Sequence, residues 1–124
     1  MLQKNKKGDR DMNTIIHITS REKWLQGQEK GIYRCESLDT EGFIHCSKIE
    51  QVVTTANRFF RGQGGLVLLA IAPSLVDAEI KQDKVPSHGC FPHIYGELNL
   101  DAVIRVVTFE PNEEGEFEFP VEFG

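Results

Sequence analysis

The chain has 124 residues and a formal charge of −5, with 40% hydrophobic and 27% charged residues. That length suits one domain around a single core, and that balance suits a soluble globular protein rather than a disordered one. An acidic domain is a poor general binder of a phosphate backbone, so no binding to DNA is expected.

No apolar run reaches the roughly 18 residues that a membrane span needs, so no membrane partner is expected. Residues 1–12 are polar and lack the hydrophobic region of a secretory signal, which predicts a cytoplasmic protein. Three cysteines, Cys35, Cys46 and Cys90, are read as reduced thiols. Charge is uneven along the chain. Residues 1–12 carry +2 and the glutamate-rich residues 110–124 carry −6. These ends read as a mobile leader over 1–13 and a solvated acidic tail over 110–124, flanking a single domain over 14–109.

In chain order, Thr14 to Ile18 is β-rich and predicts the first strand. Thr19 is placed to cap a helix, with Glu22 completing a capping box. That helix runs to Lys30, with Trp24 as its core anchor and Gly31 as its C-terminal stop. Ile32 to Glu36 predicts a second strand, Ser37 to Glu41 a turn, and Gly42 to Cys46 a third strand. Ser47 with Glu50 forms a further capping box, opening a helix to Arg61. Its apolar stripe is Ile49, Val52, Val53, Ala56, Phe59 and Phe60.

Gly62 to Gly65 breaks the pattern. Leu66 to Ile71 is a continuous apolar run, as for a strand buried on both faces. Pro73 to Val76 reads as one turn and Ala78 to Val85 as a strand. Pro86 to Phe91 reads as a loop, His93 to Leu98 as a strand, and Ala102 to Phe109 as the last strand. The order β-α-β-β-α-β-β-β-β is α+β rather than doubly wound.

Three of the four histidines fall in strand-like settings. His17 alternates with Ile16 and Ile18, His45 with Ile44 and Cys46, and His93 with Ile94. Side chains alternate across a strand, so each histidine leaves the face opposite an apolar one. A fold that gathers these segments would build one cleft. The spacings CxxC and HExxH are missing, as are GxSxG, the P-loop and GxGxxG. No metal site is therefore assigned. Cys46 reads as a small buried hydrophobe. Ser47 at a helix start, with Arg34 and Arg61 near element ends and Arg58 on the polar side of the long helix, suits an anionic ligand.

The segments IIHITSREKW, EGFIHCS, QVVTTANRFFRGQ, LVLLAI and FPHIYGELNLDAV together resemble the bacterial family called domain of unknown function 952, over about residues 14–108. The resemblance implies an ADP-ribosyltransferase-like α+β fold. In it a split, curved, antiparallel or mixed sheet with two main helices grips nicotinamide adenine dinucleotide (NAD). Ile16-His17-Ile18-Thr19 is similar to the first-strand motif of histidine-type transferases and RNA 2′-phosphotransferases. His45-Cys46-Ser47 is similar to the second motif, and His93-Ile94-Tyr95-Gly96-Glu97 falls near the third. The implied catalytic set is His17, His45 and His93. The implied cofactor-binding set is Thr19, Arg34, Ser47, Arg58, Arg61, Tyr95 and Glu97.

Glu97 is the one carboxylate near the place where a transferase keeps its ribose-orienting glutamate. The 2′-phosphotransferases work without it. The implied function is binding of a nucleotide-like ligand, free or at an RNA end, with transfer at its ribose as the activity class. The alternative class is a non-catalytic module for a small molecule or peptide.

Overall fold

The computed structural model describes residues 13–123. All but one residue of the expected leader therefore lies outside the described residues. The elements are β1 (Ile15–Ser20), α1 (Arg21–Lys30), β2 (Ile32–Tyr33), α2 (Glu36–Thr40), β3 (Ile44–His45), β4 (Ser47–Lys48), α3 (Val52–Phe59), β5 (Leu66–Ile71), β6 (Glu79–Val85), β7 (Gly89–Tyr95), β8 (Leu98–Asn99) and β9 (Val103–Phe109). Short 3₁₀ turns precede α3 and β9 and follow β5. The architecture is α+β in a single domain, and every described strand pair is antiparallel.

The strands form three sheets, ordered β4-β1-β5-β9, β3-β7-β6 and β2-β8. In the first, β5 is buried along its whole length, as its unbroken apolar run predicts. Alternation divides its residues between two cores. Val67, Leu69 and Ile71 join Ile15, Trp24, Tyr33, Ile44 and Ile94 on one side. Leu66, Leu68 and Ala70 join Ile16, Ile18, Val52, Ala56 and Phe109 on the other. The central sheet is thus the wall between two apolar layers. The first layer holds α1 and the small sheets, and the second holds α3.

Both main helices start later than expected, and α3 ends at Phe59, two residues before the expected Arg61. Thr19 remains in β1, paired with Val67, and Ser20 caps α1 by accepting from the Lys23 N–H at 3.1 Å. Ser47 also remains in a strand, paired with Ile16. The expected Ser47–Glu50 box gives way to Gln51, whose Oε1 accepts from the Lys48 N–H at 2.8 Å. Sheet pairing overrides the local capping signal in both places. Gly31 ends α1 in the left-handed region at φ 83°, as expected of a C′ glycine. The turn expected over residues 37–41 is instead part of the short helix α2.

The loop expected over residues 86–91 is a tight hairpin turn of three residues, 86–88, so β7 begins at Gly89 and ends at Tyr95. The residue that follows it has no room for a side chain. A Cβ at Gly96 would stand 2.8 Å from the Ala78 Cβ, inside contact distance.

The acidic segment is anchored to the domain at Phe117 and Pro120, while most of its other described residues are exposed. Phe117 is buried and stacks on Phe109 with ring centroids 4.6 Å apart. Asn57 of α3 accepts from the Phe117 N–H at 2.7 Å and donates to its carbonyl at 3.1 Å. The buried ring of Phe117 outweighs the charge of the glutamates around it, because burying one ring contributes several times what an exposed charge pair does. Phe117→Ala should destabilise the fold by about 3 kcal/mol in equilibrium denaturation. A change below about 0.5 kcal/mol, the scale of an ordinary surface substitution, would return the segment to a solvated tail.

Candidate functional site

A cavity of about 760 Å³ lies between the β4–β1 side of the central sheet, α3 and the β6–β7 hairpin. Its walls include His17, His45, His93, Ser47 and Arg58. The three histidine segments therefore do meet at one place.

β3 and β7 set two of them face to face. Ile44 pairs with Ile94, and His45 with His93. Period-two alternation then buries both isoleucines in the core and sends both imidazoles to the other face. Their ring centroids stand 5.1 Å apart, nearly perpendicular. Phe43 shares this face and stacks on His93 at 4.1 Å with an 11° tilt.

Each of these histidines has a carboxylate. His93 is buried, and its Nδ1 donates to Asp83 Oδ2 at 2.8 Å. The Tyr95 hydroxyl donates to the same oxygen. These two hydrogen bonds, Tyr95's first, hold the Asp83 carboxyl below its ordinary range, and the same contact raises the Tyr95 phenol. His45 is exposed, and its Nε2 donates to Glu41 at 3.2 Å. A carboxylate on one ring nitrogen sets the tautomer and leaves the other nitrogen as an acceptor. That leaves Nε2 of His93 and Nδ1 of His45, neither bonded among the described residues.

His17 is different, because both its nitrogens are taken. Nδ1 donates to the His45 carbonyl at 2.6 Å. Nε2 lies 2.8 Å from the Tyr33 hydroxyl, which lies 2.8 Å from Thr19 Oγ1. A carbonyl only accepts, so the proton is on Nδ1 and Nε2 must accept from Tyr33. The Thr19 hydroxyl then donates to Tyr33. Burial holds the His17 pKa down at about 4 and pushes the Tyr33 phenol up. His17 is therefore a neutral structural link, with no nitrogen left to work as acid or base.

The remaining expected residues are distributed as follows. Ser47 is buried against the cavity, with its Oγ 3.5 Å from Thr55 Oγ1. Arg58 lines the cavity and donates from Nη1 to His88 Nδ1 at 2.6 Å. Thr19 sits behind His17. Tyr95 acts through Asp83. Arg34 and Glu97 lie away from the cavity and bond each other at 3.1 Å, with Asp39 as a second partner of Arg34. Arg61 is held by Glu116 at 2.7 Å.

Sequence reasoning missed Asp83, Glu41 and His88. A hairpin turn at residues 86–88 would have revealed Asp83, since it sets Asp83 beside Phe91 and within diagonal reach of His93. Glu41 stands four residues before His45, across a glycine in the left-handed region. Among the described residues no group of three or more His, Cys, Asp or Glu is arranged to hold a metal ion. No described helix is long and apolar enough to cross a membrane.

A family model described as "Protein of unknown function (DUF952)" matches residues 18–106. The X-ray structure of protein CC0527 from Caulobacter crescentus is similar, with 30% identity and a TM-score of 0.81 over 90% of this chain and 98% of that one. The solution structure of CC0527 has 33% identity and a TM-score of 0.74, covering 85% and 91%. A comparison with curated proteins finds no match.

The buried state of His17 has a measurable consequence. The folded protein keeps it neutral down to about pH 4, whereas its ordinary value is 6.5. Between those values the unfolded chain binds more protons, so stability falls as pH drops from about 6.5 towards 4. The contribution is about 3 kcal/mol at most, and it is fully present above pH 6.5. Urea denaturation at a series of pH values should show this slope in the wild type and lose it in His17→Gln. Equal slopes in the two proteins would contradict the assignment.

Proposed function

The chain belongs to the DUF952 family of proteins of unknown function, and we propose that its cavity binds a nucleotide-like ligand through the ribose and phosphate. The observation that carries this reading is the convergence of His45, His93, Ser47 and Arg58 on one cavity of about 760 Å³. That volume falls in the ordinary range for small-molecule sites.

The parts match the parts of a nucleotide. Phe59 lines the cavity and is 68% exposed, so it offers a face on which a base can stack. Arg58 supplies a cation for phosphate. Ser47, Thr54 and Thr55 supply hydroxyls, and the two histidines suit ribose hydroxyls. The division of the strands into separate sheets fits the ADP-ribosyltransferase-like arrangement, with NAD as its cofactor and transfer at a ribose as its activity class. In this reading the anion is held by Arg58, not by a helix start at Ser47, and Arg34, Arg61 and Glu97 serve the surface.

Thermal denaturation with NAD, ADP-ribose and adenosine 2′-phosphate tests the reading. A ligand present at about 100 times its dissociation constant adds roughly 2.7 kcal/mol, a rise of several degrees for a domain of this size. That rise should vanish in His45→Ala, whose own melting temperature should stay near wild type because the side chain is exposed. No rise with any of the three ligands would remove the nucleotide reading.

A further inference from the structure

We propose that His93 and His45 form a general base and general acid pair that cyclises a short ribonucleotide phosphodiester, using the substrate's own 2′-hydroxyl as the nucleophile. This rests on the nucleotide reading of the same cavity and names its substrate class and reaction.

Three observations lead there. First, the cavity holds no activated thiol. Cys46 is its one thiol, and burial pushes that thiol's pKa up, which leaves it inert. Second, the carboxylates beside the two imidazoles, Asp83 and Glu41, are both bonded to histidine, and the other carboxylate at the cavity, Glu50, is carried on the 3₁₀ turn before α3 rather than on the strands that carry the histidines. Transfer through an oxocarbenium-like state relies on a free carboxylate beside the sugar, and these two are occupied in orienting imidazoles. Third, each of the two imidazoles keeps one nitrogen without a partner among the described residues, and they stand side by side with Arg58 on the same cavity. A base, an acid and a cation are what an in-line displacement at phosphorus requires.

The two histidines divide the work by their surroundings. His93 is buried and rigid, stacked on Phe43, with Nδ1–H fixed by Asp83. A carboxylate behind an imidazole stabilises the imidazolium that forms when Nε2 takes a proton. His45 is exposed and reaches solvent, so it can be recharged with a proton after each turnover.

The step balances as follows. Nε2 of His93 takes the 2′-hydroxyl proton, and the 2′-oxygen forms a bond to phosphorus. The bond from phosphorus to the 5′-oxygen of the next nucleoside breaks. Protonated His45 gives its Nδ1 proton to that oxygen. The products are a 2′,3′-cyclic phosphate and a free 5′-hydroxyl, with no net change in protons or electrons. The net charge of −5 favours short substrates over long RNA.

The test uses uridylyl-(3′→5′)-adenosine and its 2′-deoxyuridine counterpart with the full chain, reading the cyclic phosphate by ³¹P NMR and binding by thermal shift. Three proteins are prepared identically: wild type, His93→Asn and His45→Ala. Asparagine keeps a donor for Asp83 while lacking Nε2, and His45 is exposed, so both variants should fold. Wild type should cyclise the ribo-dinucleotide and leave the deoxy form intact. Each variant should lose roughly 100-fold or more in rate. Equal rates in wild type and His93→Asn would overturn the proposal. Wild type that is stabilised by the deoxy-dinucleotide but yields no cyclic phosphate from the ribo form would overturn the chemistry and leave the nucleotide site standing. Neither stabilisation nor product would overturn both.

Discussion

One imidazole ties the three sheets together. His17 belongs to β1 of the central sheet, bonds the backbone of β3 in the second sheet through Nδ1, and meets Tyr33 of β2 in the third through Nε2. A buried polar group without partners costs more than its bonds return. This histidine therefore holds all three sheets to one geometry or is penalised for leaving it. Tyr33 is fully buried and passes the constraint on to Thr19, so the link ends on a hydroxyl that can supply the last donor. The carbonyl that His17 grips is that of His45. The buried histidine thus positions the backbone of another that lines the cavity.

From that fixed point the site follows by register. β3 is only two residues long, yet its pairing with β7 matches isoleucine to isoleucine and histidine to histidine. A slip of one residue would bury His45 and expose Ile44. Asp83 and Tyr95 then arrive on the same face from the hairpin, and Gln51 fastens that hairpin to the start of α3 by donating to the Cys90 carbonyl at 2.9 Å. The cavity is thus bounded by elements that are each held for reasons of packing. His17, His45, His93 and Ser47 are carried on strands and Arg58 on α3, which favours preorganisation.

Much of this was legible in the residues. The continuous apolar run of β5 and the alternation around His17, His45 and His93 gave the right elements and the right faces, and the stripe of α3 was right except at Phe59, which is exposed rather than packed in the core. The sequence resemblance anticipated the family. What could not be read was long-range. Arg34 and Glu97 look like ligand residues in one dimension, but they are 63 positions apart and satisfy each other at the surface. Ser47 looks like a helix cap because a local hydrogen-bond rule says so, while its pairing with Ile16 is decided by the neighbouring strand. The role of His17 also reversed, since burial depends on what the other sheets place around it. Phe117 was hidden among glutamates, where charge pattern masks a core aromatic.

Nitrogen-15 NMR of the histidine side chains separates the three imidazoles by protonation and ligand response. Long-range proton–nitrogen correlations report which ring nitrogen carries the proton. His17 and His93 should be protonated at Nδ1 and His45 at Nε2 near neutral pH. His17 should stay neutral well below pH 6, and a bound nucleotide should shift the signals of His93 and His45 but not those of His17. A His17 that titrates in the ordinary histidine range, or a His93 protonated at Nε2 alone, would refute this assignment of the three rings.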